Sequence, residues 1–367
     1  MSRGTGVNRD DARRAAHTAV SAALAPLDDD RLAALVRTAA PLGSGIGGRS
    51  VLLEVGGTRV FVKRVPLTAR ELRPEHVRST ANLFELPVFC QYGVGGIGHA
   101  GPGVWRELAA QEAASDWVLS GEHSGFPLLY HWRVLPEAAP PLPEELADIG
   151  RAVDYWGGGP GMRERIEGLR DSPASLVLFL EHVPQNLHEW LDGQMAAGAE
   201  AVDRACAFVE RELEATVAFM NGRGLLHMDA HFGNILTDGR RLYFTDFGLA
   251  LSSRFALSPA EADFFDRHRT YDRAYALSYL VNWLVLGLYG HRRDAREALI
   301  RAWAEGEPPP AGPPGATALL SRLAPLAATV TDFVGRFEKE SRDVPYPAGA
   351  VGRLLASYDA SRDGTQA

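Results

Sequence analysis

Two carboxylates and one amide follow each other closely in the second half of the chain. Residues 227–234 read His-Met-Asp-Ala-His-Phe-Gly-Asn, and Asp246 begins an Asp-Phe-Gly sequence twelve positions after Asn234. Phosphoryl transfer requires a carboxylate that accepts the proton of an attacking hydroxyl, and oxygen ligands that hold Mg²⁺ on the phosphates. The spacing therefore predicts that Asp229 is a catalytic base and that Asn234 and Asp246 bind the metal. The alternative is an ordinary polar turn after a helix.

A glycine-rich segment and a lysine occur far upstream. Residues 43–48 read Gly-Ser-Gly-Ile-Gly-Gly, and two β-rich stretches, 49–55 and 58–65, follow on either side of Gly56-Gly57. Two glycines between such stretches predict a β-hairpin. Lys63 lies in its second strand, where its charge can contact the α- and β-phosphates. Glycines let backbone amides approach phosphate groups, so the sequence predicts nucleotide contacts at Gly43, Gly45 and Gly48.

A second glycine-rich segment offers an alternative nucleotide site. Residues 93–98 also match the spacing of a dinucleotide-binding turn. Such a turn opens directly into a helix, whereas Gly101, Pro102 and Gly103 intervene here. We therefore predict a flexible loop at 93–98.

An acidic partner for the lysine is expected on a helix predicted over residues 104–119. Glu107 and Glu112 are the candidates. Glu107 falls in the first turn, where exposure to solvent is expected, so Glu112 is predicted to pair with Lys63. The alternative is that both acids are solvated charges.

These motifs together resemble the protein-kinase-like superfamily, which includes eukaryotic-type protein kinases, aminoglycoside phosphotransferases and choline kinases. The resemblance covers residues 42–283, about two thirds of the chain. It implies an α+β fold with a small β-rich N-lobe, a larger helical C-lobe, and ATP with Mg²⁺ in the cleft. It assigns phosphate contact to Lys63, ion pairing to Glu112, catalysis to Asp229, metal binding to Asn234 and Asp246, and adenine contacts to Leu180, Glu181 and Val183.

The chain also departs from protein kinases. Met228 and His231 stand where protein kinases have arginine and lysine, as in aminoglycoside and choline kinases. Without the arginine, control by phosphorylation of residues 249–271 is not expected. Asp272 resembles the aspartate that steadies the catalytic loop of small-molecule kinases. His231 either contacts phosphate or only supports this loop.

The resemblance divides the chain into three parts. Residues 1–40 are predicted to form a helical extension, broken at Pro26. Residues 41–183 form the N-lobe with two insertions, at 66–103 and 136–173, and residues 184–367 form the C-lobe. The uncharged stretch 274–290 is interpreted as a buried central helix of the C-lobe and not as a membrane span.

Composition excludes other classes. The 367 residues are 46% hydrophobic and 23% charged, with a net charge of −8, which is typical of globular proteins. No Lys/Arg cluster provides the positive surface that nucleic-acid binding requires. Cys90 and Cys206 share no motif, so neither a disulfide framework nor a zinc site is predicted. The polar N-terminus predicts no signal peptide, and we expect a bacterial cytoplasmic protein without nucleic-acid or membrane partners.

Three functions remain open. The first is a kinase for Ser/Thr hydroxyls of a peptide or protein, similar to bacterial enzymes that phosphorylate precursor peptides for elimination by a partner lyase. The second is a kinase for small-molecule hydroxyls, indicated by Met228 and His231. The third is a pseudokinase scaffold, which the complete set of motif residues disfavours.

Overall fold

The chain divides into two compact units. The computed structural model describes residues 9–45, 48–95, 97–98 and 100–363. Unit 1 comprises Met1–Cys90, Ile97–Val183 and Thr245–Leu249, and unit 2 comprises Gln91–Gly96, Pro184–Phe244 and Ala250–Ala367. Each unit therefore includes a short segment from a distant part of the sequence.

Unit 1 is built from helices around one sheet. Its helices are α1 (Arg9–Leu24), α2 (Asp29–Thr38), α3 (Val104–Leu119), α4 (Glu144–Ala147), α5 (Ile149–Tyr155) and α6 (Pro160–Arg170). Its strands are β1 (Ala40–Gly45), β2 (Gly48–Val55), β3 (Thr58–Leu67), β4 (Leu129–Pro136) and β5 (Ala174–Glu181). The predicted hairpin is confirmed, with Gly56 and Gly57 at positive φ angles of 56° and 79°, where a side chain would be strained.

The five strands of unit 1 form one antiparallel sheet in the order β1-β2-β3-β5-β4. Strand β5 lies between β3 and β4, and its residues 174–180 are all buried. Helix α3 packs Val104, Trp105 and Leu108 into a core with side chains of β3 and β5. An α+β chain with a β-sheet in its first half is therefore confirmed.

The N-terminal helices belong to unit 1. Asp28 caps α2 by accepting a hydrogen bond from the backbone N–H of Arg31, as expected for an N-cap aspartate, and the predicted break near Pro26 is confirmed. Arg13 of α1 donates to the Phe126 carbonyl at 2.6 Å and to the Glu181 carboxylate at 2.7 Å. These bonds hold α1 against the end of β5.

Unit 2 is mainly helical. Its helices are α7 (Leu187–Ala196), α8 (Ala199–Gly222), α9 (Pro259–Arg267), α10 (Tyr271–Tyr289), α11 (Arg293–Ala304), α12 (Pro314–Lys339) and α13 (Ala348–Asp363). Its short strands are β6 (Gln185–Asn186), β7 (Leu225–Leu226), β8 (Ile235–Thr237), β9 (Leu242–Phe244) and β10 (Leu251–Ser252).

Helix α10 contains residues 274–289 of the uncharged stretch 274–290, and Gly290 caps the end of the helix. Its side chains are buried around most of its circumference, as in a central helix. Within the described part of the chain, no helix has the length and apolar character to cross a membrane. The interpretation as a buried helix is confirmed.

The segment 91–96 is anchored in unit 2 by Tyr92. The Tyr92 hydroxyl lies 2.5 Å from Nε2 of His268. The Tyr92 ring lies within 5.2–5.4 Å, between centroids, of five aromatic rings, those of Phe264, His268, Tyr271, Phe333 and Phe337. The described residues of 93–98 form neither helix nor strand, so the predicted loop is confirmed, although Tyr92 fixes its beginning.

Both cysteines are buried free thiols. Burial raises the pKa of Cys90 and of Cys206 to about 12. Each therefore behaves as a small apolar side chain at neutral pH.

Candidate catalytic residues

Lys63 lies in the middle of β3 and is only 8% exposed. Its Nζ atom donates to Oε1 of Glu107 at 2.6 Å and to Oδ1 of Asp246 at 2.8 Å. All three residues belong to unit 1, because the segment 245–249 is part of that unit. The structure therefore brings together the predicted lysine and one predicted metal ligand.

This cluster places two carboxylates beside one ammonium group. Burial lowers the pKa of Lys63, but the Asp246 and Glu107 carboxylates outweigh it and raise the pKa above its ordinary value. Burial raises the pKa of Glu107, and the nearby Asp246 carboxylate adds to this effect against the attraction of Lys63. Two carboxylates thus share one ammonium group, and a further cation beside them would be stabilised.

The predicted pairing of Glu112 with Lys63 is wrong. Glu112 instead accepts a hydrogen bond from Nη2 of Arg78 at 2.7 Å, on the surface. Five positions separate the two glutamates, which places them about 140° apart around the helix. The first turn of α3 is not exposed to solvent, since Val104 and Glu107 are only 1% and 5% exposed.

The Asp-Phe-Gly segment has a fixed backbone beside Lys63. Asp246 adopts a left-handed conformation with φ of 62°, which aspartate tolerates better than most residues. Phe247 is fully buried, and its ring centroid lies 6.3 Å from that of Phe126. A Cβ atom at Gly248 would lie 3.3 Å from Oδ1 of Asp246, so glycine leaves room for that carboxylate.

The upstream glycines lie at the end of the β1–β2 hairpin, where Gly45 pairs with Gly48. Gly48 has φ of 116°, and a Cβ atom there would lie 2.1 Å from the Arg64 carbonyl oxygen. Only glycine fits this position. Gly43 lies in β1, and residues 46 and 47, between the paired glycines, fall outside the described part of the chain. The predicted phosphate contacts of Gly43, Gly45 and Gly48 stay a prediction.

The predicted adenine-binding residues lie at the end of β5. Leu180 is 3% exposed and pairs with Phe61 of β3. The backbone N–H of Glu181 donates to the Leu128 carbonyl at 2.8 Å, and its carboxylate binds Arg13. These contacts fix the strand that leads to Val183.

Unit 2 holds the predicted base on a tight loop. The side-chain amide of Asn234 donates to the Asp229 carboxylate at 2.9 Å and to the Asp229 carbonyl at 3.1 Å. Both bonds use the amide nitrogen, whereas a hard cation such as Mg²⁺ would bind the amide oxygen. The side-chain oxygens of Asn234 and Asp246 are therefore suitable ligands for magnesium. Asn234 belongs to unit 2 and Asp246 to unit 1.

His231 supports this loop. Its Nδ1 atom accepts a hydrogen bond from the backbone N–H of Gly233 at 3.0 Å. Its Nε2 atom is 3.8 Å from Oδ2 of Asp229, which is longer than a hydrogen bond. The described contacts of His231 thus agree with the supporting role.

Asp272 holds the start of the same loop from α10. Its carboxylate oxygens accept the backbone N–H groups of His227 and Met228, each at 2.8 Å. Asp272 is fully buried, and burial raises its pKa to about 6 in spite of these two bonds. Met228 has a positive φ of 65°, which is a strained conformation for this residue type. Its hydrogen bond to Asp272 holds it there.

The raised pKa of Asp272 predicts a specific pH dependence. The folded protein holds this proton more tightly than the unfolded chain, in which the pKa is about 3.9. Asp272 therefore favours the folded state most at low pH, and this contribution is lost as the pH rises through about 6. The free energy of unfolding of the wild type minus that of Asp272→Asn should fall from about pH 4.5 to about pH 7.5. Urea titrations at each pH measure it, and a flat difference would contradict the assignment.

Sequence reasoning missed Gly93. Its backbone N–H donates to the Met228 carbonyl at 3.2 Å, and a Cβ atom at Gly93 would lie 2.0 Å from Oδ1 of Asp229. The backbone of this segment therefore touches the predicted base, whose side chain is 19% exposed. The sequence shows only that Gly93 belongs to a glycine-rich segment next to Tyr92. This pattern does not indicate that Gly93 contacts Asp229.

Comparisons with family models and with curated proteins find no match to this chain. Among the residues that the structure describes, three or more His, Cys, Asp or Glu side chains nowhere converge on a common metal position.

Proposed function

We propose that the chain is an ATP- and Mg²⁺-dependent kinase with a two-lobed protein-kinase-like fold. It transfers the γ-phosphoryl group to an acceptor hydroxyl. The favoured acceptor is a serine or threonine of a peptide or protein. One observation carries the proposal. A buried lysine in the sheet binds a helical glutamate and an aspartate 183 residues further along the chain, and that aspartate begins the predicted metal-binding motif.

A purely structural role explains this cluster poorly. Burying charges costs free energy that their mutual attraction repays only partly, and apolar side chains of similar volume often stabilise a protein as well or better. Titratable groups that burial and specific partners perturb strongly are concentrated at functional sites. The two carboxylates beside Lys63 fit a cluster that acts on a cation and on phosphates.

Each residue has a defined task in the proposed reaction. Lys63 stabilises the negative charge of the α- and β-phosphates, and Glu107 holds Lys63 in place. Asp229 orients the acceptor hydroxyl and accepts its proton as the oxygen bonds to the γ-phosphorus and the bond to ADP breaks. Asn234 keeps the Asp229 carboxylate in one orientation. Asn234 and Asp246 are the predicted ligands of magnesium, which would neutralise phosphate charge.

A pocket in unit 1 supports a peptide acceptor. It has a volume of about 520 Å³ and is lined by the start of β2, by Arg49, by Arg165 and by the proline-rich residues 140–143 of the second insertion. This volume lies within the range of about 300–1,000 Å³ that is typical of ligand pockets. Because the second insertion forms part of its wall, the pocket offers a peptide segment a place to bind beside the sheet.

The second candidate is a kinase for small-molecule hydroxyls. The contact of Asp272 with the backbone of His227 and Met228 favours it, because the resemblance assigns this aspartate to the small-molecule kinases. The close approach of Gly93 to Asp229 also restricts access to the base.

The decisive experiment offers ATP, Mg²⁺ and two acceptor pools to the purified chain. One pool contains peptides of the native host, and the other contains amino alcohols and aminoglycosides. Mass spectrometry should detect one added phosphate on serine or threonine of a peptide. Phosphate on small molecules alone would establish the second candidate. The pseudokinase scaffold would be the remaining function if no phosphate is transferred and millimolar ATP and Mg²⁺ do not raise the melting temperature.

A further inference from the structure

A buried carboxylate in the first insertion caps the helix that carries Glu107. Glu71 is fully buried, and its Oε1 atom accepts the backbone N–H of Val104, the first residue of α3, at 2.9 Å. The N-cap residue itself is Gly103, which has no side chain and a φ of 149°. Glu71 therefore satisfies an N–H group that the adjoining sequence cannot, and its charge favours the N-terminal end of the helix.

Further bonds fix Glu71 itself. Its Oε2 atom accepts the backbone N–H and the hydroxyl of Thr68 at 3.0 and 2.9 Å. Its backbone carbonyl accepts the indole N–H of Trp105 at 2.9 Å. Glu71 thus contacts both of the first two residues of α3, one turn before Glu107.

The second insertion completes this arrangement. Nη1 of Arg165 in α6 donates to Oε2 of Glu71 at 2.6 Å, and the side chains of this ion pair are only 3% and 0% exposed. Nε of Arg165 also donates to the carbonyls of Ala100 and Gly101, at 3.2 and 3.3 Å. Arg165 therefore holds both the cap and the chain that enters α3.

We propose that Glu71 and Arg165 are positioning residues that fix α3 where Glu107 reaches Lys63. The two insertions thereby maintain the Lys63–Glu107 pair without phosphorylation of residues 249–271. We call the buried ion pair of Glu71 and Arg165 the clamp. Breaking a buried ion pair leaves an uncompensated charge, so the clamp strongly favours a single position of α3. The kinetic part of the proposal rests on the proposed kinase function, whereas the structural part does not.

The test compares Glu71→Gln with a matched control. Glu164→Gln removes an ion pair between Arg70 and Glu164, which joins the same two insertions at 2.7 Å but is exposed. Hydrogen exchange of the amides of residues 104–108 should accelerate about tenfold or more in Glu71→Gln. It should stay at the wild-type rate in Glu164→Gln. The kcat for phosphoryl transfer should fall by about tenfold in Glu71→Gln, with a smaller change in the KM for ATP.

A double variant separates positioning from general damage. Arg165→Met leaves the Glu71 carboxylate buried without its cation, just as Glu71→Gln leaves the Arg165 guanidinium without its anion, so it should also accelerate exchange. Adding Glu71→Gln to Arg165→Met removes that charge and should slow exchange again. If Arg165→Met does not fold, Glu71→Gln alone decides.

The outcomes distinguish the two proposals. Faster exchange in Glu71→Gln supports the clamp even if no acceptor is ever phosphorylated, in which case only the kinase function fails. Unchanged exchange at residues 104–108 in Glu71→Gln would overturn the clamp, whatever its activity.

Discussion

Replacing Asp229 with asparagine should reduce phosphoryl transfer by at least about 1,000-fold, since general bases contribute roughly 100- to 10,000-fold and Asp229 also orients the acceptor. Asparagine cannot accept the proton of the acceptor hydroxyl. The Asn234 amide can still donate to the side-chain oxygen at position 229, so the loop should keep its shape. Initial rates with the acceptor identified by mass spectrometry measure the effect.

The control for this variant is Asp263→Asn in α9. Asp263 forms an exposed ion pair with Arg267, and its loss should leave transfer unchanged because exposed pairs contribute little. The melting temperature of Asp229→Asn should still rise on addition of ATP and Mg²⁺. Transfer at the wild-type rate in Asp229→Asn would exclude Asp229 as the base.

The second large effect separates the two glutamates of α3. Glu107→Gln should lower kcat/KM by about 100-fold, because Lys63 loses one of two charged partners in a buried environment where such bonds are strong. Glu112→Gln makes the same chemical change five residues away. It removes only the surface bond to Arg78 and should change kcat/KM by no more than about twofold.

The same two variants can be compared by nucleotide binding. The rise in melting temperature caused by ATP and Mg²⁺ should be smaller in Glu107→Gln than in Glu112→Gln. A loss of activity in Glu112→Gln with full activity in Glu107→Gln would restore the pairing predicted from the sequence and would contradict the observed contact.

Local signals predicted much of the fold. The pair Gly56-Gly57 defines its hairpin through backbone conformations that glycine adopts freely. Asp28 predicts a helix start because its side chain can accept an N–H group of the first turn. Residues 104–119 were predicted as a helix with the bounds that the structure shows. In these cases the physical cause lies within a few residues of the element.

The partner of Lys63 could not be predicted in the same way. Buried residues occur on all sides of α3 and include Arg106, Glu107 and Gln111. The sequence therefore has no apolar stripe that shows which face of α3 is turned inward. The expectation that its first turn is exposed rests only on what helices generally do. The first backbone N–H of this turn, that of Val104, binds Glu71, which lies 33 positions earlier. Sequence spacing contains no information about such a contact.

The site residues of unit 2 were easier to identify. Asp229 and Asn234 are five positions apart and hydrogen-bond within one loop, so their relation is local. Gly93 lies far away in the sequence and touches the same loop. Gly93 lies near this loop because the neighbouring Tyr92 packs among aromatic side chains of unit 2. The sequence around Gly93 does not predict a contact with the loop, and the sequence of the loop does not predict a contact with Gly93.

The exchange of segments between the units has a consequence for biosynthesis. A domain encoded by one continuous stretch can fold as soon as that stretch leaves the ribosome. Unit 1 cannot, because its last segment, Thr245–Leu249, is made after most of the chain. Lys63 and Glu107 are both made long before Asp246. The cluster in which Lys63 binds both carboxylates is therefore complete only late in translation.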